Sequence, residues 1–171
     1  AISITTYIDK KKSTISSSNL SNDNIKTLIE RCIETTKNTP EDEFNSLPEI
    51  ELMAKDSKDL NLYDEKHVPN NKKIEILNEV EEAAYLQKNI TNTETDFTEN
   101  KSNFVLGNSN GFMKGYKTSN FNISCVAVAK KDNQMERDYD FTSKRHISDI
   151  ANPTDIGKNA ALNAVKKLDP K

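Results

Sequence analysis

Four side chains in this sequence have the chemistry of nucleophiles, bases or soft metal ligands: Cys32, Cys125, His67 and His146. A thiol activated by an imidazole is a competent nucleophile, and the spacing of Cys125 and His146 leaves such a dyad open. Against it, Cys125 lies in Ser124-Cys125-Val126-Ala127-Val128-Ala129, the most buried-looking strand of the chain, and burial in apolar surroundings raises a thiol pKa. Cys32 falls on the stripe Ile25, Leu28, Ile29, Cys32, Ile33 and reads as core, with a raised pKa and low reactivity. His67 precedes Val68-Pro69 in a loop and reads as surface decoration. Two Cys and two His, widely spaced on different elements, do not make a structural zinc site. Glu79, Glu81 and Glu82 would suit acid–base work only in a buried setting, and on an open helix face they read as solvated. The Gly107-Asn108-Ser109-Asn110-Gly111 loop offers backbone N–H groups to an anion, although a plain hairpin turn explains it as well. Glu136-Arg137-Asp138-Tyr139 is dense in charge for a strand; it reads as a charged outer face that protects an edge, or as an interface or peptide-binding edge. Phosphate-loop, nucleophile-elbow, H-E-x-x-H and C-x-x-C patterns are missing. No catalytic, cofactor-binding or metal-ligating residue is therefore assigned.

These residues must be positioned by an α+β scaffold, a largely antiparallel sheet carrying about three helices. Ile2, Ile4, Thr6 and Ile8 alternate with polar residues, Asp9-Lys10-Lys11-Lys12 turns, and Thr14-Ile15-Ser16 returns, which is a β-hairpin. Ser21 or Asn22 caps the first helix, Asp23 complements its dipole, and Pro40 marks its end. Residues 41–70 are irregular and acidic, with Asp59 to Asp64 a docking strand or a surface strap. A second helix runs from Asn70 or Asn71 to about Lys88, with Ile74, Leu77, Val80 and Ala84 on one face and Glu79, Glu81 and Glu82 on the other. From Ile90 to about Ser143 the pattern is β. In its last strand Arg137, Tyr139 and Phe141 share one face, and Glu136, Asp138 and Asp140 the other. Asn152-Pro153-Thr154-Asp155 opens a last helix with the narrow stripe Ile156, Ala160, Ala164, Leu168, whose small residues permit a close approach.

Composition bounds the function. The chain has 171 residues, 34% of them hydrophobic, and Leu, Ile, Val and Phe make up about a fifth of it. A net charge of only -3 argues for a folded chain with a thin core rather than a disordered one. No apolar stretch is long enough for a membrane-spanning helix, and no signal-peptide pattern is present. A pI near 5.5 without a basic face argues against sequence-independent nucleic-acid binding. Two cysteines suit a reducing cytoplasm. Lys far outnumbers Arg and Asn is abundant, which reflects AT-rich codons. The chain opens inside a strand pattern with no Met before Met53, so it reads as a piece of something longer.

Ile90-Thr91-Asn92-Thr93-Glu94, then Gly107-Asn108-Ser109-Asn110-Gly111-Phe112 with Gly115-Tyr116, then Met135-Glu136-Arg137-Asp138-Tyr139, resemble in order and spacing the PmbA branch of the TldD/PmbA family, also called modulator of DNA gyrase. The opening hairpin, the helix ending Asn38-Thr39-Pro40, and the closing run from Asn152-Pro153 to Leu168-Asp169-Pro170 are similar to its N-terminal domain. The resemblance spans essentially the whole chain but less than half of a full-length member. It implies a cytosolic protein. TldD-like subunits are zinc metallopeptidases with ligands on an H-E-x-x-x-H helix and a later Cys; PmbA-like (TldE-like) subunits lack them and pair with TldD. The complex degrades unfolded peptides and matures the microcin B17 precursor. That metal helix would fall beyond Lys171, so no catalytic or zinc-binding residue carries over, and the implied role is partner docking, with a TldD-like subunit as a heterodimer or with a second copy as a homodimer, or shaping a substrate chamber. Lys and Asn stand where other members carry Arg or Gly. Two alternatives stay open: the N-terminal domain of a metal-bearing TldD-like enzyme, and an autonomous interaction module that uses the acidic 41–66 loop or the Glu136 face.

Overall fold

Alternating Ile and polar residues form β1 (Ile2–Ile8), which pairs antiparallel with β2 (Lys11–Ser17). The computed structural model describes residues 1–56 and 58–168, so Asp169-Pro170 of the family-like ending lie outside the described residues. The turn is tighter than expected: Ile8 pairs with Lys11, and only Asp9 and Lys10 turn. Asp9 takes φ 46, a left-handed conformation that Asp tolerates and that suits a two-residue hairpin. Helix α1 (Asn22–Lys37) is capped by Ser21, whose hydroxyl accepts from the Asn24 amide at 3.4 Å. It buries Leu28, Cys32 and Thr36 while Ile29 remains exposed, so the buried stripe runs on to a threonine.

These elements belong to one of two compact units. The first is Ala1–Asp56 with Gly107–Met113, and the second is Ser57–Leu106 with Lys114–Lys171. Residues 41–56 of the first unit are irregular apart from a 3-10 turn at Ile50–Leu52.

The second unit holds α2 (Asn70–Tyr85), β3 (Ile90–Gly107), β4 (Met113–Lys131), β5 (Gln134–Lys144) and α3 (Pro153–Lys166). Its sheet runs β3-β4-β5. The β4–β5 pair is antiparallel, with Val126 opposite Tyr139 and Ser124 opposite Phe141. The architecture is thus α+β, with three α-helices among the described residues, as the pattern implies, but the strands divide between two sheets. Strand β4 runs on through Lys130 and Lys131, and Asp132 at φ 54 and Asn133 make the turn.

One face of the three-stranded sheet forms the core with α2 and α3. Ile123, Cys125, Ala127 and Ala129 meet Val80, Ala84, Ile156, Ala160, Ala161, Ala164 and Leu168. Asn152 caps α3 through the Thr154 amide at 3.2 Å. The low aliphatic content becomes intelligible here, because alanines replace bulk with proximity. At Gly157 an added Cβ would overlap the Val80 carbonyl, so only glycine allows this crossing of α3 over α2. The face of α2 departs from expectation. Ile74 is exposed; Ile76, Val80, Ala83 and Ala84 face the core. No helix among the described residues is long and apolar enough to cross a membrane.

Candidate functional site

The most strongly organised polar cluster centres on Glu99, which the sequence reading did not single out. Phe97 and Glu99 share the helix-facing side of β3. The Glu99 side chain is 6% exposed and accepts from Lys73 Nζ at 2.9 Å, His67 Nδ1 at 3.0 Å and the Val68 amide at 3.3 Å. Lys101 Nζ stands 3.7 Å away and donates to the carbonyls of Glu65 and Lys66. Burial pushes the Glu99 carboxyl up, but the hydrogen bonds from Lys73, His67 and Val68 and the Lys73 charge outweigh it and hold the pKa at about 2. Such a carboxylate stays ionised at neutral pH and is a poor general base. Its oxygens are engaged by its own chain, and its work is to clamp the segment before α2 onto β3. His67 is exposed as expected, yet it is a member of this clamp. The available signal was parity: a glutamate two residues from Phe97 in a strand points the same way.

The Asp59–Asp64 segment is a strap, with no strand formed. The Ser119 amide donates to Leu62 O at 3.0 Å, and the Asp64 amide donates to Ser119 Oγ at 2.8 Å. The buried Asp64 carboxylate accepts from the amides of Lys66 at 2.9 Å and Ile147 at 3.0 Å. The Lys66 amide leads in holding its pKa below the usual carboxylate range. His146 Nε2 lies 2.8 Å from Asn61 O.

The two cysteines are both buried and unbonded to each other. Burial, with Glu81 and Asp140 nearby, pushes the Cys125 thiol up to about 11, as its strand position implies. His146 is engaged with the strap, and the imagined Cys125–His146 pair is not assembled. Cys32 corrects its expectation. The hairpin presents Thr6 and Ser13 to it, and their hydroxyls lie 3.3 and 3.6 Å from Sγ. Burial raises the thiol pKa, but these hydrogen bonds carry it below its ordinary value. The pocket is polar, with the Thr36 hydroxyl donating to Cys32 O at 2.8 Å and also meeting Thr6.

Among the glutamates of α2, Glu81 turns toward the sheet and accepts from Thr93 Oγ1 at 3.2 Å, contrary to the solvated reading. Glu79 and Glu82 line a shallow cleft with Leu86 and Lys158. The Gly107–Gly111 loop spends its amides internally. Asn108 Oδ1 accepts from the amides of Asn110 and Phe112, both at 3.1 Å, and the Gly111 amide donates to Asn108 O at 3.2 Å. Gly111 has φ 87. This is turn chemistry and not an anion cradle. The turn is tied down by Asn110 Nδ2 donating to Pro48 O at 3.3 Å.

The Glu136–Tyr139 strand reverses the expected sides. Asp138 and Asp140 face α3, paired with Lys167 at 2.9 Å and Asn159 at 3.0 Å, so the charged face is not the outer one. The Lys167 hydrogen bond holds the Asp138 carboxyl below its ordinary range. Tyr139 and Phe141 point outward, exposed and stacked with ring centroids 6.2 Å apart. Among the described residues no three His, Cys, Asp or Glu side chains gather as a metal would require.

The described residues thus form an Ala-packed α+β fold whose perturbed acids are engaged by their own chain. Its kinship is explicit: the model of the PmbA/TldA metallopeptidase central domain matches residues 63–168, and the chain belongs to the PmbA/TldD family. It is 32% identical over 173 residues to the metalloprotease PmbA of Escherichia coli O157:H7, covering 100% of this chain and 38% of that protein. It is 30% identical over 172 residues to the PmbA homologue of Haemophilus influenzae, covering 99% of this chain and 38% of that one. The chain thus spans well under half the length of these curated relatives. A crystal structure from Bacteroides thetaiotaomicron, of a protein described as a candidate modulator of DNA gyrase, superposes with TM-score 0.91 at 25% identity, over 99% of this chain and 40% of that one. TldE of Thermococcus kodakarensis shares the fold with TM-score 0.63 at 19% identity, over 94% of this chain and 36% of that one.

Proposed function

We propose that this chain is the N-terminal part of a PmbA-like (TldE-like) subunit of a cytosolic TldD/PmbA-type metallopeptidase complex. Its own role is non-catalytic: it docks a TldD-like subunit, or shapes the chamber that admits unfolded peptides. The observation that carries the division of labour is the engagement of its reactive groups. Glu99, Asp64 and Asp138 each hold a neighbouring segment, and both thiols are buried. Zinc belongs in this reading to the TldD-like partner or to a region of the longer protein outside residues 1–171. In this reading the fold contributes surfaces and positioning rather than a reacting atom.

A peptidase assay with added zinc tests this directly. The chain should show no cleavage above background, and robust chelator-sensitive cleavage would overturn the proposal. The name metalloprotease borne by the relatives supports a second reading, a parent that carries the metal itself. Translating the gene just past Lys171 separates the two, because an H-E-x-x-x-H helix there favours the metal-bearing enzyme. Co-purification of the full-length protein with a TldD-like subunit tests the docking role.

A further inference from the structure

The three-stranded sheet distributes its side chains in an unusual way. Toward α2 and α3 β4 presents Ile123, Cys125, Ala127 and Ala129, all fully buried. Away from them it presents Val126 and Val128, with Tyr139 and Arg137 directly across on β5 and Phe141 beside them. Tyr139 and Phe141 are 60% and 56% exposed. A sheet with one solvated face ordinarily turns its apolar side chains inward and its charges outward. Here Asp138 and Asp140 turn inward to Lys167 and Asn159, while Val126, Val128, Tyr139 and Phe141 lie on the face turned away from α2 and α3. In a chain with 30% charged residues, an aromatic and β-branched patch of this kind marks an interface.

We propose that this face is an interface inside the intact protein, covered by the region that follows this domain in the longer chain. Length identifies the occupant. The matched part is 38% of the PmbA relatives, so most of each relative lies outside it. The family model describes residues 63–168 as a central domain, which implies a further domain after it in the family. A following region on the same chain is present at one-to-one ratio and high effective concentration, which a separate subunit is not. Tyr139 and Phe141 supply the anchors, and Arg137 supplies a charge at the rim.

The inference rests on family membership and not on which subunit holds the metal, so the zinc assay leaves it untouched. The test is thiol labelling of the full-length protein carrying Tyr139→Cys, read peptide by peptide by mass spectrometry. Glu75→Cys, on the exposed side of α2, is the reference. Labelling at position 139 should be slower by about tenfold or more at every protein concentration. Arg137→Cys removes no aromatic ring and should be slowed in the same way. Equal rates at 139, 137 and 75 would overturn the proposal. Protection that fades on dilution would give the face to a second copy, and protection that appears only on adding a TldD-like subunit would give it to that partner; either result also overturns it.

Discussion

Replacing Glu99 by Gln keeps the shape of the side chain and removes its charge. The magnitude follows from the clamp. Its carboxyl lies at about 2 against an ordinary 4.5, and the side chain is 6% exposed, so water screens little of the interaction. A difference of about 2.5 pH units at about 1.4 kcal/mol each is about 3–4 kcal/mol of stability. A carboxyl whose folded pKa is depressed contributes fully above its unfolded value and loses that contribution as pH falls through the folded one. The contribution should therefore be complete above about pH 5 and decay toward about pH 2. Glu99→Gln also leaves Lys73, with a side chain 19% exposed, without its counter-ion. Urea titration near pH 7 should show a loss of about 3–4 kcal/mol, and thermal melts a midpoint lower by about 6–16 °C. Near pH 3 the gap between wild type and variant should narrow markedly. Lys73→Met should cost less in the Glu99→Gln background than alone, because the pair is coupled. A loss below about 0.5 kcal/mol near pH 7 would refute the reasoning, since that is the worth of an exposed pair. So would an equal loss at both pH values, which would make the effect one of shape and not of charge.

Gly157→Ala should destabilise the second unit by about 2–3 kcal/mol in urea, because the new methyl meets the Val80 carbonyl and lies 3.2 Å from the Ala84 amide nitrogen; an unchanged midpoint would mean that this glycine does not set the spacing of α2 and α3. Neither Cys32 nor Cys125 should react with a thiol reagent in the native chain, and both should react in denaturant. Fast native labelling of Cys32 would show that its hydroxyl pocket opens. Gly111→Ala places a side chain at φ 87 and should cost about 1–2 kcal/mol locally. Hydrogen exchange would show this as faster exchange at residues 107–113, with the protection of β4 opposite β5 retained.

The elements that sequence periodicity revealed are those whose buried face is a single stripe. In α1 and α3 the apolar residues recur on one line, and both helices form where the pattern puts them. Helix α2 is harder because Ile74, Ile76, Leu77 and Val80 fit two overlapping stripes. The pairing of Ala83 and Ala84 with the sheet and α3 chooses between them, and that is tertiary information. The same limit explains Cys32. The stripe announced a buried thiol, but the hydroxyls around it come from a hairpin whose register the helix does not encode. Glu99 was marked by strand parity, whereas Lys73 and His67 come from a helix and a strap far from it in sequence. On β5 the alternation of residues was legible, but which face the helices would cover was not.

The division of the chain has a consequence for the order in which it is made. Asn110 reaches back to Pro48, and Gly107–Met113 completes a unit whose other residues are the first fifty-six. On the ribosome the β1–β2 hairpin and α1 emerge well before that turn exists. They can form their local contacts at once, but the closing contacts of their unit must await the synthesis of β3. Long-range closure of this kind slows folding relative to local pairing. Residues 1–56 are therefore synthesised well before their unit can be completed, and a nascent chain halted before residue 107 would expose the surface at Pro48 and Met53 that the turn later occupies.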